Sequence, residues 1–386
     1  MPVLPTMIRI AQIVEAVEGG CKRHVIDLLA GLDPGRFHQV AIVGVRRDGN
    51  IRAEIAAATG GKLETVPWDA PREIRPLADW RAYRSLVRFL REHPFDVIHC
   101  HSAKAGFLGR LAARGLPARV LYTPHCLPCM MGTSAAARFV YCRLERMAGW
   151  YTDRLIAVSP SEGQAAAGLV PPERVVVIEN GIDPASVGAS VDVARKRAEL
   201  GLGESSKVVL SVGALRRQKG YRHLIEAVPP AANLCADAVF LIAGEGPLRP
   251  ELERLVERLN VGERVRLLGR RSDVAELLAI ADVFAMPSLW EAGPYALLEA
   301  MAAGVPVVGA RIPGIIDWVT EGQTGYLVEP ANAASLARGL VSALTGPREA
   351  RRRAEAARGM VLERNTKDRW LRDMAALYES IVSAPG

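Results

Sequence analysis

The sequence is short of most features that mark specialised protein classes. Aromatic residues make up 5% of its 386 positions, and there are six cysteines, at 21, 100, 126, 129, 142 and 235. Thiols this few and this irregularly spaced do not build a secreted disulfide framework, so a reducing, cytoplasmic setting is expected. No long apolar run is present either. The longest stretch without Asp, Glu, Lys or Arg, 120 to 137, contains Pro124, His125, Pro128 and Gly132, which argues against a membrane-spanning helix. The start, MPVLPTMIRIAQIVEAVEGG, has neither a basic n-region nor a long apolar core and reads as a first strand, not a signal peptide.

Familiar chemical motifs are missing as well. GxGxxG is absent from the first strand-to-helix turn, where the chain has Glu18-Gly19-Gly20-Cys21. There is no GxxxxGK[ST], HExxH or GxSxG, and no two aspartates are separated by a single residue. A diphosphate ligand would therefore be neutralised by protein groups, not by an Asp-held metal. No dense basic block of the kind that nucleic-acid binders carry is found. The net charge of +7 is mildly uneven, with 23 basic and 18 acidic side chains in residues 1 to 185. That fits an anionic small molecule or an acidic membrane surface.

What is present is a regular alternation of short β-branched runs with helical-period segments. The expected strands of the first half are Ile8 to Val14, Val40 to Val45, Lys62 to Val66, Val97 to Cys100, Arg119 to Thr123, Leu155 to Val158 and Val175 to Ile178. Segments such as Cys21 to Ala30, Trp80 to Glu92, Ala103 to Arg114 and Ala136 to Trp150 read as helices between them. The pattern pauses at 179 to 190, ENGIDPASVGAS, which reads as a linker. It restarts with Val208 to Val212, Val239 to Ala243, Val265 to Leu268, Val283 to Met286, Val305 to Val308 and Gly325 to Val328. The expected fold is α/β, with two Rossmann-like domains, 1 to 185 and 186 to 365, facing across a deep cleft that holds the ligand at the carboxyl ends of the strands.

Two segments are equipped for such a ligand. After the strand VVLSVG comes Ala214-Leu215-Arg216-Arg217-Gln218-Lys219-Gly220 and then a helix. Cations there would join helix N-terminal amides in holding a phosphate, although a solvated basic turn would look the same. The segment 287 to 304, PSLWEAGPYALLEAMAAG, places Glu291 in a loop and Glu299 about one turn into a helix opened by Gly293-Pro294. Carboxylates suit the vicinal hydroxyls of a sugar and a ribose, but a surface acid and a helix-dipole partner would also explain them.

With these residues in view, the chain resembles retaining nucleotide-sugar glycosyltransferases of family 4, which have the two-domain architecture called GT-B. The resemblance rests on Glu18-Gly19-Gly20, His101 in HCHSAKAG, Thr123-Pro124-His125, AVSPSE at 157 to 162, and Glu179-Asn180-Gly181-Ile182-Asp183. Lys219-Gly220, AGEGPLRPELE at 243 to 253 and the Glu291-x7-Glu299 segment continue it over nearly the whole chain. It implies transfer of a sugar from a nucleoside diphosphate, UDP favoured, to an acceptor hydroxyl with retention. No cofactor and no metal are implied.

Residue by residue, the resemblance assigns the diphosphate to Lys219 and a nearby arginine. It assigns the transferred sugar to Glu291 and the backbone of Gly293, Pro294 and Tyr295, and the ribose to Glu299. Gly19 and Gly20 would let the backbone approach the phosphates and acceptor. His125, Glu291 and Lys219 form the expected catalytic set. The family's usual arginine after the strand glycine is replaced by Ala214. Arg216 is the preferred substitute, with Arg217 the alternative. Residues 366 to 386 would form a helix returning to the first domain. An epimerase or phosphorylase on the same fold, or a non-catalytic sugar-nucleotide binder, are the competing functions.

Cys126-x2-Cys129 is only half of a zinc site, so packed thiols account for it better. Arg81, Arg84, Arg88 and Arg91 recur at helical spacing beside Trp80, Tyr83, Val87 and Leu90. An outer Rossmann helix with solvated arginines is the preferred reading, with peripheral contact to an anionic inner membrane face kept open. The acceptor could be a glycan, lipid-linked or a small molecule; no nucleic-acid partner is expected.

Overall fold

The computed structural model describes residues 7 to 384 apart from 47, 72 and 188 to 190. The chain forms two compact units, Met1–Asn180 with Asp368–Gly386, and Gly181–Lys367. In the first, β1 (Ile8–Val14), β2 (Phe37–Gly44), β3 (Glu64–Trp68), β4 (Val97–His101), β5 (Arg119–Thr123), β6 (Arg154–Ala157) and β7 (Val175–Val177) make one sheet in the order β3-β2-β1-β4-β5-β6-β7. In the second, β8 (Lys207–Val212), β9 (Ala238–Ala243), β10 (Val265–Gly269), β11 (Val283–Met286), β12 (Val307–Ala310) and β13 (Tyr326–Val328) pair as β10-β9-β8-β11-β12-β13. Every paired neighbour is parallel. The chain thus contains two Rossmann-like α/β domains, and each sheet reverses its order once, between β1 and β4 and between β8 and β11. Loops at the carboxyl ends of strands diverge at such a point and leave room for a ligand.

Strand limits differ from expectation where local chemistry intervenes. The strand expected from Val305 starts at Val307 because Pro306 has no amide hydrogen; its carbonyl instead accepts from Phe284 N at 2.8 Å. The helix Tyr295–Ala302 follows Pro294, which caps it and does not occupy its first turn. Residues 188 to 190 of the expected linker lie outside the described residues. Next to them, Ile182 N donates to Asn365 O and Lys367 N to Ile182 O, both at 2.8 Å, so the two segments near the unit boundaries are bonded to each other.

The helix Pro76–Glu92 buries Ala82, Leu86 and Leu90 and leaves Arg81, Arg84, Arg88 and Arg91 exposed. Tyr83 and Val87 also pack on the core, so this is an outer helix with solvated arginines. Trp80 stays exposed, with the Arg84 guanidinium 5.1 Å from its ring centre. Among the described residues, no helix is long and apolar enough to cross a membrane.

The last helix, Lys367–Ser383, places Trp370, Met374, Tyr378 and Ile381 among Ile8, Ile10, Leu28, Phe37, Val97 and Leu121 of the first sheet and its first helix. These residues recur at helical spacing, so one face of the helix is committed to the core. Met374→Ala should therefore cost about 3 kcal/mol of unfolding free energy in urea titrations. A loss well under about 1 kcal/mol would mean that the helix is only loosely docked.

Candidate active site

In the second unit the candidate site residues lie on and near the loops after β8 and β11, which are adjacent strands. The loop after β8 forms a short 3-10 turn, Arg217–Lys219, ended by Gly220 in the left-handed region at φ 65°. A Cβ on Gly220 would lie 2.0 Å from the carbonyl oxygen of Pro287, so only glycine lets the two loops meet. The result is a contact between Lys219 Nζ and Glu291 Oε1 at 2.6 Å. Ser288 Oγ also donates to Glu291 Oε1 at 2.8 Å, and Gln218 Nε2 to Oε2 at 3.3 Å. Gln218 is tied into the facing loop through Trp290 O and its own carbonyl, which accepts from Leu289 N. Glu291 is buried and Lys219 partly so. The sequence separates these two residues by function; the structure joins them in one ion pair.

The other expected donor-side residues surround this pair in the chain. Arg216 is half-buried on an extended backbone before the 3-10 turn, whereas Arg217 is exposed. Gly293 is half-buried in the loop. Pro294 has no N–H, so of the segment 293 to 295 only Gly293 and Tyr295 can offer an amide to a ligand. The Tyr295 side chain belongs to the hydrophobic core, which limits its part to the backbone. Glu299 is half-buried in the helix that begins at Tyr295.

In the first unit, Glu18, Gly19 and Gly20 are exposed where the helix Gly19–Gly31 begins after β1. Gly19 has φ 56°, and a Cβ there would meet nothing within 4 Å, which leaves an open backbone. His125 follows β5 with φ 57°, and Cys126 has φ 120°. Non-glycine residues held there cost about 1–3 kcal/mol each. Buried Glu162 compensates: Oε1 accepts from Cys126 N at 2.8 Å and Leu127 N at 3.0 Å, and Oε2 from Val158 N at 2.9 Å. The AVSPSE segment therefore serves to hold the His125 loop.

His125 Nε2 lies 3.2 Å from His101 Nδ1, and the His24 ring centre is 4.5 Å from that of His125. His24 Nδ1 donates to Asn180 Oδ1 at 3.0 Å, which gives Asn180 of the ENGID segment a definite task. His99 sits beneath them, bonded to Tyr378 Oη and Thr123 Oγ1. Burial pushes His24 down to about 4 and holds His99, His101 and His125 well below the usual imidazole value, with neighbouring imidazoles adding to the effect on the last three. One nitrogen from each of His24, His101 and His125 lies within 4.8 Å of the others, a spacing that could admit a metal ion. The separation of Nδ1 and Nε2 in His101 and His125 equally suits a bridging proton. Sequence reading named His101 and His125 but missed their grouping with His24, which comes from a distant helix. The Cys126–Cys129 pair forms no metal group among the described residues; the Cys129 thiol is pushed up to about 11, chiefly by burial and then by Cys142 beside it.

Residues 192 to 360 match the family model described as glycosyl transferases group 1, and residues 18 to 186 match that described as glycosyltransferase family 4. The chain is 34% identical over 67% of its length to the UDP-Gal:alpha-D-GlcNAc-diphosphoundecaprenol alpha-1,3-galactosyltransferase of Escherichia coli, of which it covers 68%. It is 28% identical over 69% of its length to the 2-deoxystreptamine glucosyltransferase of Streptomyces kanamyceticus, covering 72% of that chain. In fold it is similar to Anabaena HepE in complex with UDP-glucose, with a TM-score of 0.83, 23% identity, and coverage of 97% of this chain and 100% of that one.

The buried imidazoles carry a consequence for stability. A histidine whose folded value lies below 6.5, about 4 for His24, contributes stability that is present above pH 6.5 and lost as pH falls toward the folded value. Unfolding near pH 5.5 should then take up at least about two protons, read as the slope of unfolding free energy against pH. A flat profile from about pH 7 to 5 would show that these rings are not held neutral.

Proposed function

The chain belongs to the group 1, family 4 glycosyltransferases, and on that premise we propose that it moves a hexose from UDP to a hydroxyl of a lipid-linked glycan, with retention of anomeric configuration and without a metal. The observation that carries this reading is the ion pair of Lys219 with Glu291 on the paired loops after β8 and β11. Departure of the diphosphate creates negative charge on the leaving group and oxocarbenium-like character in the sugar. Lys219, Arg216 and the amides that open the helix Tyr221–Ala232 stabilise the first. Glu291, fixed by Ser288 and Gln218, accepts sugar hydroxyls, and Glu299 accepts those of the ribose. Gly293 and Tyr295 offer amides to the sugar. The first unit's part in the reaction falls to Gly19 and Gly20, where the Gly19 backbone is open, and to His125. The leaving phosphate assists removal of the acceptor proton. A UDP donor is supported by the UDP-Gal in the name of the Escherichia coli relative and by the UDP-glucose bound in the Anabaena structure.

A lipid-linked acceptor is supported by the helix Ala135–Gly149 and the residue after it. Phe139, Val140, Met147 and Trp150 are exposed, the last by 82%, beside exposed Arg138, Arg143 and Arg146. Such a face suits the headgroup level of an anionic membrane on the cytoplasmic side. The Pro76–Glu92 helix, whose apolar stripe is core, is a weaker candidate.

Lys219→Ala should lower turnover about 10³-fold and Glu291→Gln about 10²-fold, with both proteins folded. UDP should raise the melting temperature more than GDP or ADP, and turnover should persist in EDTA. Near-normal transfer by both variants would sink the assignment.

The membrane reading is tested by cosedimentation with vesicles rich in anionic lipid. Binding should fall with added salt and with Phe139→Ser and Trp150→Ser together. Absent or charge-insensitive binding would count against it.

A further inference from the structure

On the face of the first sheet that carries the last helix, apolar packing gives way to polar side chains toward the carboxyl ends of the strands. Ile10, Phe37, Val97 and Leu121 pack in the core there. Two residues further along each strand stand Gln12, Gln39, His99 and Thr123, and His101 comes two beyond His99. Since alternate residues of a strand share a face, these polar groups form one row. They are buried, so their hydrogen bonds have directions that can be worked out one after another.

The order begins at a backbone carbonyl, which can only accept. Leu29 O lies 3.1 Å from Gln39 Nε2, which fixes the orientation of the Gln39 amide. Gln39 Oε1 then accepts from Gln12 Nε2 at 3.2 Å, and Gln12 Nε2 also donates to Tyr378 Oη at 3.1 Å. The Gln12 oxygen is thereby turned to His101 Nε2, 2.9 Å away, which must carry a hydrogen. A neutral imidazole with Nε2–H has its lone pair on Nδ1. His101 Nδ1 faces His125 Nε2 at 3.2 Å, so His125 is the donor.

We infer that Gln12 and Gln39 are positioning residues that hold His125 in the Nε2–H tautomer, with Nδ1 left as its lone-pair nitrogen. His125 Nδ1 makes no hydrogen bond to the protein among the described residues and is the nitrogen that meets a ligand hydroxyl as acceptor. The neutrality that the argument needs follows from the burial of His101 and from the enclosed setting of the half-buried His125 among other imidazoles. The proton between His101 and His125 occupies the gap that a metal ion shared with His24 would use. The catalytic consequence rests on the role given to His125 above; the tautomer does not.

Histidine-selective ¹⁵N labelling resolves the question in the intact protein, which has only seven histidines. Long-range ¹H–¹⁵N correlations should show His125 Nδ1 unprotonated and Nε2 protonated at neutral pH. Nδ1–H on His125 in the wild-type protein overturns the inference, as does added Zn²⁺ that shifts His24, His101 and His125 together at stoichiometric amounts. Gln12→Met should mix the two tautomers and lower kcat roughly tenfold, with the donor KM little changed. Gln39→Met should do the same more weakly. An unaltered tautomer in a folded Gln12→Met protein also overturns it. Full turnover by His125→Ala, with the wild-type tautomer as expected, would instead remove the role of His125 and leave the relay standing.

Discussion

Lys219 and Glu291 are 72 residues apart in the chain and touch because β8 and β11 are neighbours in a parallel sheet whose order reverses between them. The reversal brings together loops that neither helix layer occupies. Gly220 then lets one loop lie against the carbonyl of Pro287 in the other. Taking either charge from such a partly buried pair would leave the other without its partner, at a cost of about 3–5 kcal/mol. The pair is therefore fixed before any ligand arrives, and a preorganised cation is what a developing diphosphate charge needs.

The first unit solves its positioning problem with other chemistry. It packs neutral imidazoles, amides and the buried carboxylate of Glu162 about the ends of β1, β4 and β5. Glu162 spends its oxygens on three backbone amides and thereby holds the His125 loop in a conformation that an unsupported chain would avoid. Asn180 does for His24 what Gln12 does for His101, accepting from one ring nitrogen and so fixing the other. The family-like segments thus divide into residues proposed to meet a ligand and residues that keep those in place.

That division explains what could be read in the sequence. The strands were legible because buried parallel strands are continuous β-branched runs, as in Val208 to Val212; β3 and β12 slipped by two residues, β12 because Pro306 interrupts the ladder. The places of Lys219 and Glu291 on loops after strands, and of Glu299 in the following helix, were legible from the spacing, whereas the ion pair of the first two was not. Gln12, Gln39 and the bracing role of Glu162 were not legible, because their partners lie on other elements, up to 366 residues away, or are backbone amides of another loop. One signal was available: a glutamine within each of the runs IRIAQIV and FHQVAIVG is a polar group in a buried strand, which has to find a partner.

The uneven charge of the sequence takes on a different meaning once the side chains are placed. The half with the larger excess of cations carries Arg138, Arg143 and Arg146 beside exposed aromatic and aliphatic residues on one helix, whereas its buried centre is made of neutral imidazoles. The half with the smaller excess holds the lysine expected to meet phosphate, already matched by its own glutamate. A surface that attracts an extended anionic layer needs many exposed like charges, because each is worth about 1 kcal/mol and is screened over about 10 Å. A site for a single diphosphate needs few, because its charges act at contact distance in a drier setting. Net charge therefore reports on the first kind of partner and is blind to the second, and the second is found by following two adjacent strands to their carboxyl ends.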